Sequence, residues 1–333
     1  MKIYLAGDSI VQNYEKEEFI AGWGQFLSFF IKDGVEVVND AKGGRSSRLF
    51  INEGRFDNIE KNISAGDYLL IEFCHNDDAS KEYKTMFNRL TPLGEPDSDG
   101  RFPIIPGETM PKDYIPPEYI DALRKDENVK DKQAVLDSVY KILESYPHDT
   151  YYPYSADGSK GTYLWFLKQF VDMAREKGAV PVFVTAPART VYDANGNIKD
   201  GTGLHGGNNF AYIRAMKQLG EEAKVPVIDL FAYSCGLYKQ IGKEKIHWIT
   251  SIKKGCNKGI WPDDFNSEMQ KKETVSEDTH FNKYGAVLIT QGLVKLIKES
   301  DSSQLDGLKG MLKNPDGIDI EKYVKKPLVF EKF

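Results

Sequence analysis

A serine directly follows the first apolar run of the chain. Gly7-Asp8-Ser9 comes after residues 2–6, which predict a short buried strand. The carboxyl end of a buried strand is where α/β folds place their chemistry, and a serine hydroxyl there is a candidate nucleophile. Serine and aspartate also favour the N-cap of a helix, so this tripeptide alone leaves both interpretations open.

Three further polar segments occupy similar places. NDAKGGRSSR (39–48) follows the second predicted strand, FCHND (73–77) follows the third, and DTHFN (278–282) lies in a predicted loop before the last helix. The carboxyl ends of parallel strands meet at one edge of a sheet, so we expect these segments to lie beside Ser9. His280 would then be available as a general base.

The four segments, in this order, resemble the conserved blocks of the SGNH (GDSL-type) hydrolases. GWG (22–24), GGRSSR, HND and THFN are similar to the rhamnogalacturonan and pectin acetylesterase branch, over about residues 1–85 and 161–300. The resemblance implies that Ser9 is the nucleophile and His280 its general base. It also implies an oxyanion hole formed by the N–H groups of Ser9 and Gly44 and the side chain of Asn76.

The residue types suit these roles. Ester cleavage needs a nucleophile, a base and donors for the developing negative charge. Gly44 allows close approach because it has no Cβ, and Asn76 brings an NH2 donor. Taken singly, Gly44 would serve a turn, Asn76 an Asx-turn, and His280 would be a surface histidine. Their joint occurrence at strand ends favours a catalytic site.

Two positions depart from the family pattern. Cys74 stands where the third block usually has glycine, and we expect a crowded site or a side chain in the core, not a second nucleophile. The family places an aspartate three residues before the histidine, where this chain has Glu277. Spacing favours Glu277 and residue type favours Asp278 as the group that orients His280. We predict Glu277, with a backbone carbonyl as the remaining alternative.

Three more side chains belong to the predicted site or its surroundings. Arg45 is a candidate for binding substrate carboxylates, such as those of pectic uronates, and is otherwise a solvated helix residue. For Arg48 we favour the solvated helix residue. His75 is assigned to the substrate side of the site, as a support rather than a base.

The elements that must position these residues alternate between strands and helices. Strands are predicted at 2–6, 35–39, 68–73, 180–185 and 225–230, and helices at 23–31, 45–50, 164–177, 210–223 and 286–298. The alternation predicts a parallel sheet with helices on both faces. With the resemblance, it implies an α/β three-layer sandwich, the flavodoxin-like SGNH hydrolase fold, with irregular insertions.

The predicted hydrolase domain spans residues 1–300 and is interrupted twice. An insertion at about 88–160 is rich in Pro, Gly, Asp and Tyr and contains one predicted helix, 132–145. A second irregular segment covers about 242–276. Long insertions near strand ends often build substrate sites. Residues 301–333 are expected to be an appendage of unknown role.

Composition excludes several classes of function. Charged residues make up 28% of the chain with a net charge of −6, which argues against a nucleic-acid partner. No stretch approaches the roughly 20 apolar residues of a membrane span. Three cysteines give no disulfide framework and no CxxC pair. DANGN (193–197) resembles the start of a calcium loop, but the glycine and the glutamate that such a loop has at its sixth and twelfth positions are missing. We therefore expect no metal and no cofactor.

The start of the chain lacks the features of a signal peptide. We therefore expect a cytoplasmic protein, or a secreted one if a signal peptide has been removed. The function expected from the resemblance is removal of O-acetyl groups from carbohydrate, specifically pectic (rhamnogalacturonan) oligosaccharides, through an acyl-enzyme on Ser9. The alternatives are a lipase or thioesterase of the same superfamily, and a non-catalytic carbohydrate-binding protein.

Overall fold

The computed structural model describes residues 1–15, 20–78, 89–199, 210–252, 276–320 and 324. The strands of the described chain are β1 Lys2–Gly7, β2 Glu36–Asn39, β3 Tyr68–Glu72, β4 Met110–Pro111, β5 Thr150–Tyr151, β6 Val180–Val184, β7 Val227–Ile228, β8 Thr250–Ile252 and β9 Ser276–Phe281. Five of them form a parallel sheet in the order β2-β1-β3-β6-β7. The order doubles back at β1, so the carboxyl ends of β1, β2 and β3 open onto a common crevice.

The strands are apolar because both faces of the sheet are covered. All residues of β3 are buried, and they alternate between two cores. Leu70 packs in one core with the last long helix, whereas Leu69 and Ile71 pack in the other. A strand buried on both faces reads as a nearly continuous apolar run, as this one does.

Helices form the outer layers. They are α1 Ser47–Asn52, α2 Arg55–Asn62, α3 Pro117–Lys125, α4 Lys132–Glu144, α5 Tyr163–Glu176, α6 Ala211–Ala223, α7 Leu230–Ile241, α8 Lys283–Glu299 and α9 Asp306–Met311. Helices α5 and α6 cover one face of the sheet, and α8 covers the other. The α/β three-layer sandwich expected from the sequence is confirmed.

Several elements differ from the sequence-based expectation. Helices α2 and α7 were not predicted, and residues Trp23–Phe30 form a 3-10 helix. The segment that carries His280 is a strand, β9, which pairs antiparallel with β8, and not a loop. A lone two-stranded ribbon has too few partners to give a clear pattern in the sequence.

The insertion forms a small core of its own. Helices α3 and α4 and the β4–β5 ribbon bury Leu49, Ile115, Tyr119, Leu123, Val129, Val139, Leu143, Tyr146 and Tyr151. Only α4 was expected, and α3 follows the N-cap residue Pro116, with Pro117 as its first residue. Proline is favoured at the first helical position because its missing N–H would be unsatisfied there.

Described residues between 301 and 320 pack into the main core, where the sequence suggested an appendage. Leu305, Leu308 and Leu312 are each no more than 1% exposed and belong to the core beneath α8. The N–H of Lys32 also donates to the carbonyl of Met311 at 2.8 Å. These residues therefore contribute to the stability of the main domain. In the described part of the chain, no helix combines the length and the apolar character needed to cross a bilayer.

Candidate active site

Ser9 lies on a tight turn at the carboxyl end of β1. The N–H groups of Val11 and Gln12 donate to the carbonyl of Asp8 at 3.2 and 3.1 Å, which closes the turn and leaves Ser9 9% exposed. The Nε2 atom of His280 lies 2.9 Å from the Ser9 Oγ atom, although the two residues are 271 positions apart. This is hydrogen-bond distance for a nucleophile and its general base.

The residues around His280 hold it in place. Asn282 caps α8 by accepting from the N–H of Gly285, and its Nδ2 donates to the carbonyls of Trp248 and Thr250 at 2.7 and 3.1 Å. Phe281 is buried in the core. The THFN motif thus ties the histidine to β8 and to the start of α8.

Three N–H donors of the candidate site have no acceptor among the described residues. No described residue accepts from the backbone N–H of Ser9 or Gly44. Asn76 donates one amide hydrogen to Asp8 Oδ2 at 2.9 Å, and no described residue accepts its second. Gly44 has a φ of 80°, which favours glycine. Free donors beside a nucleophile are what an oxyanion hole requires.

Asp8 fixes the orientation of Asn76. Its side chain is completely buried, accepting from Asn76 and from the N–H of Ile10. Burial raises the pKa of Asp8 to about 6, while these hydrogen bonds and the charge of His280 act in the opposite direction. Near neutral pH the ionised carboxylate can therefore hold the amide group of Asn76 in one orientation.

The close approach of other segments to the Ser9 turn explains the GWG motif. A methyl group on Gly22 would lie 2.4 Å from the carbonyl oxygen of Gln12, and one on Gly24 would lie 2.5 Å from that of Val11. The buried Trp23 between them donates its backbone N–H to the carbonyl of Ile10 at 2.7 Å. The motif therefore packs closely against the turn that carries Ser9 and holds it in place.

Each polar residue of GGRSSR has a structural partner. The N–H of Gly43 donates to the side chain of Gln12, and Ser46 caps α1 by accepting from Leu49. The Ser47 Oγ donates to Asp77 Oδ1 at 2.6 Å. These bonds fix the loop that presents the amide of Gly44.

The arginines of this motif are occupied. Arg45 forms a bidentate ion pair with Glu53, with both N–O distances at 2.8 Å, and it also donates to the carbonyl of Gly43. A role in substrate binding therefore finds no support in its contacts. Arg48 is 1% exposed, so the expectation of a solvated helix residue is wrong. It donates to the carbonyls of Leu90 and Tyr152, which anchors the insertion to α1.

The HND segment adds support beneath the site. The Nε2 atom of His75 lies 3.1 Å from the carbonyl oxygen of Pro187, and the residue is 7% exposed. A supporting role for His75 stays our proposal. Cys74 lies in the apolar core, where burial raises the pKa of its thiol well above its usual value. It therefore lacks the activation that a nucleophile needs.

Of the two candidates for the acid that orients His280, only Asp278 is described with its side chain. The side chain of Glu277 lies outside the described residues. Asp278 and His280 are two apart in β9 and so share one face of the strand. The Oδ1 atom of Asp278 lies 3.1 Å from Arg189 Nη1 and accepts from the Thr279 hydroxyl at 2.9 Å. Asp278 is thus committed to other partners, and Glu277 remains our proposal.

Sequence reasoning missed two arginines. Arg189 follows the carboxyl end of β6, pairs with Asp278, and lies near enough to Asp8 for its charge to lower the pKa of that carboxyl. The strand-end rule, applied to β6, would have found it. Arg89 lies against Gly44, and no sequence signal marked it because it belongs to the irregular insertion. No group of His, Cys, Asp and Glu suited to a metal ion occurs in the described ranges.

The fold and the site define a class. A Ser–His pair at hydrogen-bond distance, with free N–H donors at the carboxyl edge of a parallel sheet, has the composition of a hydrolase site for acyl transfer.

Comparison with known proteins agrees with this class. The chain is 30% identical to the rhamnogalacturonan acetylesterase RhgT of Bacillus subtilis over 300 residues, 90% of each chain. It is also 30% identical to the probable rhamnogalacturonan acetylesterase YesY of the same organism, over 89% of this chain and 92% of the relative. No family model matches.

Among solved structures, that of the YxiM protein of Bacillus subtilis is similar, with a TM-score of 0.53 and 19% identity. The match covers 91% of this chain and 57% of that protein, and it supports the fold alone. The chain belongs to the family of the rhamnogalacturonan acetylesterases. It is a carboxylic ester hydrolase, as the sequence motifs indicated.

Proposed function

We propose that this enzyme removes acetyl groups from pectic oligosaccharides, specifically rhamnogalacturonan fragments, through an acyl-enzyme on Ser9. The observation that carries the proposal is the 2.9 Å contact between Ser9 Oγ and His280 Nε2. The names of the relatives RhgT and YesY support the substrate class.

The geometry supports a two-step reaction. Ser9 Oγ attacks the acetyl carbonyl carbon while His280 Nε2 accepts its proton. The oxygen of the tetrahedral intermediate takes up negative charge, stabilised by the N–H groups of Ser9 and Gly44 and the amide of Asn76. Collapse of the intermediate breaks the bond to the sugar oxygen, which receives the proton from His280. Water then attacks the acetyl-serine by the same route and releases acetate.

The test is acetate release from acetylated rhamnogalacturonan by the full chain and by Ser9→Ala. We expect the variant to lose at least about a thousandfold in rate, because removing a nucleophile leaves only weak residual catalysis. A midpoint of thermal unfolding equal to that of the wild type would show that the variant is folded. Normal acetate release by the folded Ser9→Ala protein would refute the role of Ser9.

A second measurement tests the substrate class. We expect acetyl esters to be hydrolysed in preference to esters of eight carbons or more, because the insertion near the site is polar. Efficient hydrolysis of the long esters without acetyl ester hydrolysis would instead favour a lipase or thioesterase.

A further inference from the structure

The guanidinium of Arg89 lies beside the Gly43–Gly44 loop, which also passes close to Ser9. A methyl group placed on Gly44 would lie 3.4 Å from Arg89 Nη2 and 3.7 Å from its Cζ. A methyl group placed on the preceding Gly43 would lie 3.4 Å from the Cβ of Ser9. Ser9 and Arg89 therefore lie beside two consecutive glycines of the same loop.

The backbone beside Arg89 is held by buried groups. Arg48 donates through Nε and Nη2 to the carbonyl of Leu90, at 3.2 and 3.0 Å. The N–H of Thr91 donates to the carbonyl of Asp77 at 3.0 Å, and the Tyr212 hydroxyl donates to the carbonyl of Thr91 at 2.7 Å. Hydrogen bonds thus hold the backbone that follows Arg89, and the Arg89 side chain reaches Gly44 from this position.

The charge of Arg89 has no partner among the described residues, in contrast to its neighbours. Arg45 pairs with Glu53 and Arg189 pairs with Asp278, whereas no described carboxylate or carbonyl accepts from the Arg89 guanidinium. An arginine fork suits a carboxylate, which it binds through two parallel hydrogen bonds. Its position beside the nucleophile leaves it available to an anionic group of the substrate.

We propose that Arg89 binds a uronate carboxylate of the sugar chain next to the acetylated sugar and so determines substrate specificity. This inference rests on the proposed acetylesterase function. The guanidinium lies in the direction of the side chain that Gly44 lacks, at van der Waals distance from it. The task that the sequence suggested for Arg45 thus falls to a residue outside the conserved blocks.

The experiment uses inhibition, so it does not depend on the natural substrate. Hydrolysis of p-nitrophenyl acetate is inhibited with a deacetylated, galacturonate-containing oligosaccharide and with the same oligosaccharide after its carboxyl groups are reduced to alcohols. We expect the wild-type enzyme to bind the charged form at least tenfold more tightly. In Arg89→Gln the ratio of the two inhibition constants should fall close to one, and in Arg89→Lys to an intermediate value.

The matched control is Arg124→Gln, which removes the same charge from an exposed helix of the insertion and should keep both the ratio and the basal turnover. If Arg89→Gln turns over too slowly, calorimetric titration with the two oligosaccharides gives the same ratio. An unchanged ratio in Arg89→Gln, or no discrimination by the wild type, would overturn the proposal. Discrimination that depends on Arg89, without acetate release from rhamnogalacturonan, would support the carboxylate site and reject the proposed substrate.

Discussion

At the scale of single residues, the proposed oxyanion hole depends on N–H groups that have no acceptor among the described residues. One amide hydrogen of Asn76 is bonded to Asp8, and this bond fixes the orientation of the second hydrogen, for which no described residue is an acceptor. An amide held in this way is ready to stabilise charge without reorganisation, which is the basis of an oxyanion hole.

We predict that Asn76→Ala lowers kcat by about a hundredfold or more, as loss of one oxyanion donor does. KM should change little, because the interaction strengthens only in the transition state. Steady-state kinetics with p-nitrophenyl acetate measure both constants, with Asn195→Ala in an exposed turn as control. An effect confined to KM would make Asn76 a substrate-binding residue instead.

The two acids before His280 make a second prediction. Asp278 is engaged with Arg189, so Asp278→Asn should weaken this pair and reduce kcat only moderately. Glu277→Gln should reduce kcat much more, because a carboxylate stabilises the imidazolium in the transition state. Comparing kcat of the two variants decides between them. A greater loss in Asp278→Asn would reverse the assignment, and two near-normal enzymes would indicate a Ser–His dyad.

At the scale of elements, short helix α1 connects the site to the insertion. Arg48 lies in α1 and donates to backbone carbonyls at Leu90 and Tyr152, and Asn52 exchanges two hydrogen bonds with Tyr152. The insertion is thereby fixed to the loop that carries Gly44, although it has a core of its own.

We predict that Arg48→Met lowers the free energy of unfolding by about 2–4 kcal/mol, because buried carbonyls lose charged donors. Denaturant unfolding measures this change. The control is Arg124→Met, whose side chain is 73% exposed in a pair with Asp121 and should cost less than about 1 kcal/mol. Equal small effects in both variants would mean that Arg48 is dispensable as an anchor.

At the scale of the whole molecule, buried carboxyl groups lie beneath the catalytic edge of the sheet. Burial raises the pKa of Asp77 to about 7 and, together with the charges of Asp8 and Asp77, raises that of Glu72 well above its usual value. In the unfolded chain these groups ionise at about pH 4. As pH rises above that value, the unfolded chain releases its protons first, so the folded state loses stability.

We predict that Glu72→Gln removes part of this pH dependence. The gain in the free energy of unfolding over the wild type should be smallest near pH 3, where the carboxyl is protonated in both the folded and the unfolded state, and larger at pH 8. Thermal or urea unfolding at the two pH values measures it. Glu127→Gln, in an exposed turn, is the control and should show no such trend. A gain that is independent of pH would show that the Glu72 carboxyl does not titrate as proposed.

The sequence by itself determined the class of fold and the candidate Ser–His pair. Apolar runs such as residues 68–72 identify buried strands because burial on both faces requires apolar side chains, and short motifs mark the ends of those strands. The sequence therefore allowed Ser9, Gly44, Asn76 and His280 to be assigned to one site. Each of them lies directly after a predicted strand or shortly before a predicted helix.

Only the tertiary structure decided which polar groups are free and which are occupied. Arg45, Arg48 and Arg89 are three arginines near one loop. Arg45 pairs with Glu53, Arg48 is buried against backbone carbonyls, and Arg89 lies beside Gly44. The partners of Arg48 are 42 and 104 residues away in sequence. A hydrogen bond depends on distance and direction in space, so residues joined only by the packing of the insertion leave no periodic trace in the chain.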